Sequence, residues 1–126
     1  MKCLLDTHAF LWWVDGDPRL SKKASDLIKN NECAVSLASA WELAIKISLG
    51  KLKLALSVDE YFERYTAEYG FDVLAIDLSH LCGVQTLPHH HGDPFDRLLV
   101  AQATIENLAI VSADKIFINY GVKCLW

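Results

Sequence analysis

Short apolar runs alternate with amphipathic segments along the whole chain. The apolar runs are bounded by polar or turn residues and predict buried strands at Lys2–Leu5, Cys33–Ser36, Phe71–Ile76, Leu108–Ser112 and Val122–Leu125. The segments between them predict helices at Thr7–Val14, Ser21–Asn30, Ser39–Leu49, Asp59–Tyr69, Asp77–Leu87 and Pro94–Asn107, with a short helical turn at Asp114–Asn119. Strands that are apolar throughout and separated by helices indicate an α/β fold whose parallel sheet is covered on both faces.

Capping and turn residues support these boundaries. Ser21 precedes an amphipathic segment as a plausible N-cap, and Pro94 takes the first position of its helix. Gly50 and Gly70 follow the last periodic residues of two helices. The chain has 126 residues, no repeat and no internal linker, so we expect one domain over residues 1–126, since single domains most often have about 100–150 residues.

Composition and charge exclude several classes of protein. With 52% hydrophobic and 22% charged residues, the chain is neither disordered nor of low complexity. Its apolar runs are far shorter than the about 20 residues needed to cross a bilayer, so we expect no membrane segment. No secretory signal is visible, and four widely spaced cysteines without a CxxC pair are typical of reduced thiols in a cytoplasmic protein. A net charge of −4 argues against coating nucleic acid through bulk positive charge, but not against a local acidic site.

Four acidic residues follow or flank the predicted strand ends. Asp6 comes directly after the first strand, and Asp114 follows the strand Leu108–Ser112. Glu42 and Asp96 stand in the first turns of two predicted helices. Ligands of open α/β sheets bind outside the carboxyl ends of the strands, so these side chains are expected at one rim. Clustered carboxylates repel one another, and a divalent cation such as Mg²⁺ relieves that repulsion and suits phosphodiester hydrolysis.

Each acid also has a purely structural interpretation. Ser39-x-x-Glu42 has the spacing of a capping box, and Asp93-x-x-Asp96 resembles one. Asp6 is placed to cap the next helix, and Asp114 fits an ordinary turn residue. The periodicity by itself leaves both interpretations open.

Long ordered motifs carry a family resemblance. The segments are LLDTHA at 4–9, VSLASAWELAIK at 35–46 followed by LGKL at 49–52, LPHHHGDPFDRLLVAQA at 87–103 and VSAD at 111–114. Together they resemble PIN-domain ribonucleases of the VapC toxin type over nearly the whole chain. The resemblance implies a three-layer α/β/α sandwich with a mostly parallel central sheet. It also implies the toxin of a type II toxin–antitoxin pair, a Mg²⁺- or Mn²⁺-dependent endoribonuclease that acts on RNA, binds a cognate antitoxin and forms a homodimer.

The resemblance also assigns roles to the four acids. Carried over by position, Asp6 and Asp96 are the main metal ligands. Glu42 helps to hold the metal or orients the attacking water, and Asp114 completes the coordination, directly or through water. All four are expected to be catalytic.

Several neighbouring residues are expected to support the ligands or contact substrate. Thr7 and Ser112 carry hydroxyls that can bond a ligand carboxylate. Asp93 is favoured as a helix N-cap over a ligand, because Pro94 follows it. Arg97 suits either a scissile phosphate or a carboxylate partner.

The histidine run and the lysines near the motifs have weaker expectations. His89–His91 favours a loop role or an RNA contact over a transition-metal site, because three consecutive side chains rarely face one ion. Lys46 stands four residues after Glu42, the spacing of an ordinary helical ion pair. Lys51 and Lys53 flank a bend and are either weak RNA contacts or solvated charges.

Four tryptophans divide between core and surface in this interpretation. Trp12 and Trp13 are adjacent, so one is expected in the core and the other at a partner surface. Trp41 and Trp126 are expected to be core or packing residues.

Two other functions compete with the nuclease. A phosphatase of the haloacid-dehalogenase type would need Asp-x-Asp after the first strand, but position 8 is histidine. A signalling receiver domain would need an acceptor aspartate in mid-chain, and Gly50–Leu56 has none. A non-catalytic module that holds a static ion and acts only by binding remains open.

Overall fold

A computed structural model describes all residues 1–126 and contains every predicted strand and helix. The strands are β1 Lys2–Leu5, β2 Glu32–Ser36, β3 Asp72–Leu74, β4 Ala109–Val111 and β5 Cys124–Leu125. The helices are α1 Thr7–Asp15, α2 Lys22–Asn30, α3 Leu37–Ser48, α4 Val58–Tyr69, α5 Leu78–Gln85 and α6 Pro94–Glu106, followed by a 3-10 helix at Lys115–Tyr120. None of these helices combines the length and the hydrophobicity of a membrane-spanning segment.

The start of α3 differs from the expectation. The N-cap is Ser36, whose hydroxyl oxygen accepts from the Ala38 backbone N–H at 3.0 Å. The helix therefore begins two residues before Ser39, and Glu42 falls in its second turn. The capping-box interpretation of Ser39 and Glu42 is wrong, because neither residue stands at the cap.

The sheet has five parallel strands in the order β3-β2-β1-β4-β5. The chain builds outward from β1 to β2 and β3, then returns to the other side of β1 with β4 and β5. The strand order therefore reverses between β1 and β4, which is the point where open α/β sheets form a ligand crevice at the strands' carboxyl ends. Asp6 and Ser112 follow these two strands directly.

Two apolar cores cover the two faces of the sheet, which confirms the three-layer architecture. Cys3 and Leu5 of β1 belong to a cluster with α1, α2 and α4, in which Phe10 is fully buried. Leu4 points to the opposite face and packs with α6 and with Phe117 of the 3-10 helix. This alternation along one strand is the two-residue period of a β-strand with both faces buried.

The tryptophans and cysteines only partly match the expectations. Trp41 is 51% exposed and lies edge-on against Phe95, so it is a packing residue at the surface and not a core residue. Trp12 and Trp13 are both half-buried rather than divided between core and surface. Trp126 packs against Trp12, as expected of a packing residue. All four cysteines are free thiols; two are buried, Cys124 is half-buried and Cys82 is exposed.

Candidate active site

A polar cleft of about 230 Å³ opens at the carboxyl ends of the central strands, and no hydrophobic side chain lines it. The structure brings all four predicted acids to this cleft. The lining residues are Asp6, Thr7, His8, Glu42, Lys46, His91, Asp93, Asp96 and Asp114. They come from the junction of β1 and α1, from α1, α3 and α6, and from the segments before α6 and after β4, so remote parts of the chain converge on a small space.

Asp6 is both a helix cap and a wall of the cleft. One carboxylate oxygen accepts from the Ala9 backbone N–H at 2.8 Å and caps α1, and the other accepts from the Ser112 hydroxyl. The side chain is only 7% exposed. Burial raises the pKa of Asp6, the hydrogen bonds from Ser112 and Ala9 lower it in part, and the nearby charge of Glu42 adds to the rise. Asp6 therefore caps α1 and lines the cleft at the same time, so the structural and the functional interpretations do not exclude each other.

Glu42 is held from two sides. The Thr7 hydroxyl donates to Glu42 Oε1 at 2.7 Å, and Lys46 Nζ lies 2.8 Å from Glu42 Oε2. The Ser39 hydroxyl lies 2.9 Å from Thr7 Oγ1 and extends this network. Glu42 is 6% exposed, so its orientation is set by these partners rather than by solvent. The expected ion pair with Lys46 is present.

Asp96 lies in the first turn of α6, beside His91 and Asp93. Its Oδ2 is 2.9 Å from His91 Nε2. The pKa of Asp96 is raised to about 6: burial raises it most, the contact with His91 lowers it in part, and the charges of Asp93, Asp6 and Glu42 add to the rise. Negative charge therefore accumulates here beyond what the protein's own cations compensate.

Asp93 is the N-cap of α6, as the sequence favoured. Its Oδ1 accepts from the backbone N–H groups of Phe95 at 2.8 Å and Asp96 at 3.1 Å. The side chain also lines the cleft, which brings a fifth carboxylate to the same space. Asp93 is therefore both a helix cap and part of the cleft.

Asp114 lies at the open side of the cleft and is half-exposed. Its Oδ1 accepts from the Ile116 backbone N–H at 3.0 Å and caps the 3-10 helix, and its Oδ2 lies 4.0 Å from His91 Nε2. The Ser112 hydroxyl oxygen accepts from the Asp114 backbone N–H at 3.0 Å. Ser112 thus connects the acids that follow β1 and β4.

His91 is the member of the histidine run that enters the cleft. Its backbone N–H donates to the Tyr120 hydroxyl at 2.8 Å, while the His90 ring lies edge-on against the Tyr120 ring. Possible ligand atoms of His91, Asp93 and Asp96 lie within 4.8 Å of one another. No periodic signal marks His91, because the loop conformation selects which histidine faces the acids.

Arg97 takes neither of the two roles expected for it. The guanidinium is buried and donates to the backbone carbonyls of Pro88 at 2.8 Å, Val84 at 3.3 Å and Leu87 at 3.4 Å. It also donates to the Tyr120 hydroxyl at 3.2 Å. Arg97 therefore holds the end of α5 and the following loop, and it contacts neither a carboxylate nor the cleft.

The donor set of the cleft fits a hard divalent cation. Five carboxylates share the cleft with one lysine, Lys46, and two histidines, His8 and His91, and carboxylate oxygens are the ligands that Mg²⁺ prefers. Burial and mutual repulsion hold the pKa values of Asp6 and Asp96 above their usual range. A bound dication would relieve this repulsion.

Comparisons with known proteins agree with the fold and the motifs. The family model described as PIN domain matches residues 3–123. A curated relative, Ribonuclease VapC22 of Mycobacterium tuberculosis, is 33% identical over 114 residues, which cover 89% of this chain and 86% of the relative.

Several solved structures share this fold. One is VapBC2 from Rickettsia felis bound to a promoter DNA fragment, with a TM-score of 0.72, 17% identity and coverage of 98% of this chain and 97% of that chain. Another is FitAcB from Neisseria gonorrhoeae, with a TM-score of 0.70, 16% identity and coverage of 98% and 96%. At these identities the likeness shows the shared fold.

Proposed function

The chain belongs to the PIN domain family, and from that premise we propose that it is a metal-dependent endoribonuclease, the toxin of a type II toxin–antitoxin pair. The similar curated protein is named a ribonuclease, which supports RNA as the substrate. The observation that carries the proposal is the convergence of Asp6, Glu42, Asp96 and Asp114 on one polar cleft open to solvent.

The four acids are proposed to hold the cation, Mg²⁺ or alternatively Mn²⁺. Asp6 and Asp96 are the main ligands, because burial of Asp6 and partial burial of Asp96 leave their charges poorly compensated. Glu42 and Asp114, which line the same cleft, complete the coordination. When bound, such a cation polarises a phosphoryl oxygen and makes water a better nucleophile.

The protein's own groups orient this set. The Ser112 hydroxyl holds one oxygen of Asp6, and the Thr7 hydroxyl holds one oxygen of Glu42. Lys46 lies against the second oxygen of Glu42 and places a positive charge at the edge of the cleft, where an RNA phosphate would enter. Hydrogen bonds that fix ligand carboxylates in this way tune both metal affinity and activity.

The proposed partners follow from the same family. The similar solved structures include complexes named VapBC, and this supports a cognate antitoxin as the partner of this chain. A homodimer is also proposed. The exposed apolar side chains Leu37 and Trp41 on α3 support an interface on that helix. Free thiols at all four cysteines are consistent with a cytoplasmic location.

The test is cleavage of total cellular RNA by the purified protein, free of antitoxin, with the cut ends mapped by sequencing. Cleavage is expected with Mg²⁺ or Mn²⁺ and is expected to stop with EDTA. Asp6→Asn and Asp96→Asn should each lose roughly 100-fold or more of the activity, because each removes a ligand charge, while circular dichroism stays that of the folded protein. Asp72→Asn, an exposed residue at the opposite edge of the sheet, is the matched control and should cleave normally.

Three results would contradict parts of this proposal. If both active-site variants cleave as well as the wild type, the ligand assignment is wrong. Cleavage that persists in EDTA would exclude the metal requirement. Tight cation binding without any RNA turnover would indicate the non-catalytic binding module instead.

A further inference from the structure

A second groove adjoins the acidic cleft and has the opposite charge. It has a volume of about 420 Å³ and is lined on one side by Trp12 and His8 of α1 and on the other by Lys46, Lys51 and Lys53 at and beyond the end of α3. His8 and Lys46 line both the groove and the cleft, so the two spaces are adjacent. A ligand bound in the groove therefore lies next to the acids of the cleft.

The groove concentrates positive charge on a protein whose net charge is −4. Arg19 and three lysines line it, against a single carboxylate from Asp15. Arg19 pairs with Asp17 at 2.8 Å, but Lys51 and Lys53 form no ion pair and are exposed. Two uncompensated lysines that line the same groove favour a ligand that carries repeated negative charge.

The other wall of the groove is a stack of flat groups. The His8 ring stacks on Trp12 with centroids 5.5 Å apart and an angle of 29° between the planes. Arg19 Cζ lies 4.8 Å from the centroid of the Trp12 ring. Cationic grooves that also carry exposed aromatic faces are typical of proteins that bind single-stranded nucleic acid, since phosphates follow the cations and bases stack on the rings.

We propose that this groove binds single-stranded RNA beside the cleft, with Lys51 and Lys53 along the phosphates and a base stacked on the exposed His8 ring, which Trp12 supports from behind. The inference rests on the proposed function, because RNA is the substrate it assigns. A flexible strand fits better than a duplex, since Asp6 and Glu42 lie buried at the base of the cleft and the strand must bend to reach them. An acidic protein segment would satisfy the lysines but supplies no base for the stacked wall.

The experiment measures RNA binding without cleavage. Fluorescence anisotropy with a labelled single strand of about 12 nucleotides is recorded in EDTA over a series of salt concentrations. For Lys51→Ala/Lys53→Ala we expect affinity about tenfold lower at low salt and a log–log salt slope smaller by about 1.4, because two phosphate contacts are lost. For His8→Ala we expect affinity about fivefold lower or more with the slope unchanged, because a stacking contact is lost.

The matched control is Lys2→Ala/Lys123→Ala, which removes the same charge from the opposite, amino-terminal edge of the sheet. It should keep the wild-type affinity and slope. An unchanged slope in the groove variant, or an equal loss in the control, would overturn the proposal. A duplex of the same sequence should bind about tenfold more weakly, and equal binding would contradict the preference for a single strand.

Two further outcomes separate this proposal from others. If the groove variant keeps its RNA affinity but no longer binds a poly-glutamate peptide, the groove is a protein-docking surface and the RNA proposal is wrong. If the wild type never cleaves RNA, yet its binding depends on Lys51 and Lys53 as described, the groove is supported and the proposed nuclease activity fails.

Discussion

The residues of the acidic cleft are held in place before any ion binds. Asp6 accepts two hydrogen bonds, and Glu42 contacts both Thr7 and Lys46. These contacts fix the carboxylates at short range, so the folded protein keeps their mutual repulsion. The repulsion between these carboxylates therefore has two effects: it favours binding of a cation, and it lowers the stability of the protein without one.

The raised pKa of Asp96, about 6, predicts how stability without metal depends on pH. Since the folded-state pKa lies above the usual value of 3.8, protonation favours the folded state; this contribution is complete below about pH 4 and is lost as the pH rises through 6. The unfolding temperature in EDTA should therefore be higher at pH 5 than at pH 7.5, and Asp96 contributes up to about 1.4 kcal/mol to that difference in unfolding free energy. Burial also raises the pKa of Asp6, so its contribution to stability is likewise lost as the pH rises.

Thermal unfolding of Asp96→Asn checks this. The variant should show a smaller difference between pH 5 and pH 7.5 than the wild type, since the neutral amide does not titrate. Asp72→Asn, in exposed surroundings, should behave as the wild type does. A variant whose pH dependence equals that of the wild type would show that Asp96 is not the group responsible.

The elements around the cleft are connected by a buried arginine rather than by the sheet alone. Arg97 of α6 reaches carbonyls at the end of α5 and in the loop after it, and it shares the Tyr120 hydroxyl with the backbone N–H of His91. This network links α5, α6 and the 3-10 helix. Its consequence at the scale of elements is that the loop carrying His91 and Asp93 has a defined conformation.

Arg97→Lys should loosen that loop while the charge is kept. A lysine ammonium cannot match the planar spread of the guanidinium donors, so some buried carbonyls lose their partners, and we expect a loss of about 2–3 kcal/mol in unfolding free energy. Hydrogen exchange should become faster in residues 86–93 and RNA cleavage should decrease. Arg64→Lys on the exposed face of α4 is the control and should change none of these. Unchanged exchange in residues 86–93 would refute the network's role.

For the whole molecule, the site exists only when the complete sheet has formed. The hydroxyl that bonds Asp6 belongs to Ser112, 106 positions away in the chain, and the two residues meet because β1 and β4 are neighbours. The core beneath α1 holds this arrangement through Phe10, which is fully buried and lies edge-on to Tyr61, Phe62 and Phe71. Activity therefore depends on global stability as well as on the ligands.

Phe10→Ala should reduce the unfolding free energy by about 3–5 kcal/mol, because a large buried ring leaves a cavity. That is a large share of the about 5–15 kcal/mol that stabilises a typical domain. Urea unfolding measures the change, and RNA cleavage should fall in proportion to the folded fraction. Leu78→Ala, at a side chain that is 76% exposed, should change stability by less than about 0.5 kcal/mol. Equal midpoints for the two variants would contradict this account of the core.

Local signals predicted much of the molecule correctly. The caps Ser21 and Asp93, the position of Pro94 and the end of α4 at Gly70 all agree with the structure, because each is decided by contacts within a few residues. The start of α3 was misplaced, since Ser36 and Ser39 are both suitable caps and the end of β2 selects the first. The direction of Arg97 could not be predicted, because its partners are carbonyls of an irregular loop that has no periodic pattern.

The sequence by itself determined the order of strands and helices and the placing of acids after strand ends, since hydrophobic periodicity and helix caps are short-range properties. The tertiary structure alone decided which side chains share the cleft. In the folded protein only His91 of the three adjacent histidines lines the cleft, Arg97 is buried against loop carbonyls, and a cationic groove lies beside the acids. The physical reason is that side-chain orientation depends on partners that packing brings together from distant parts of the chain.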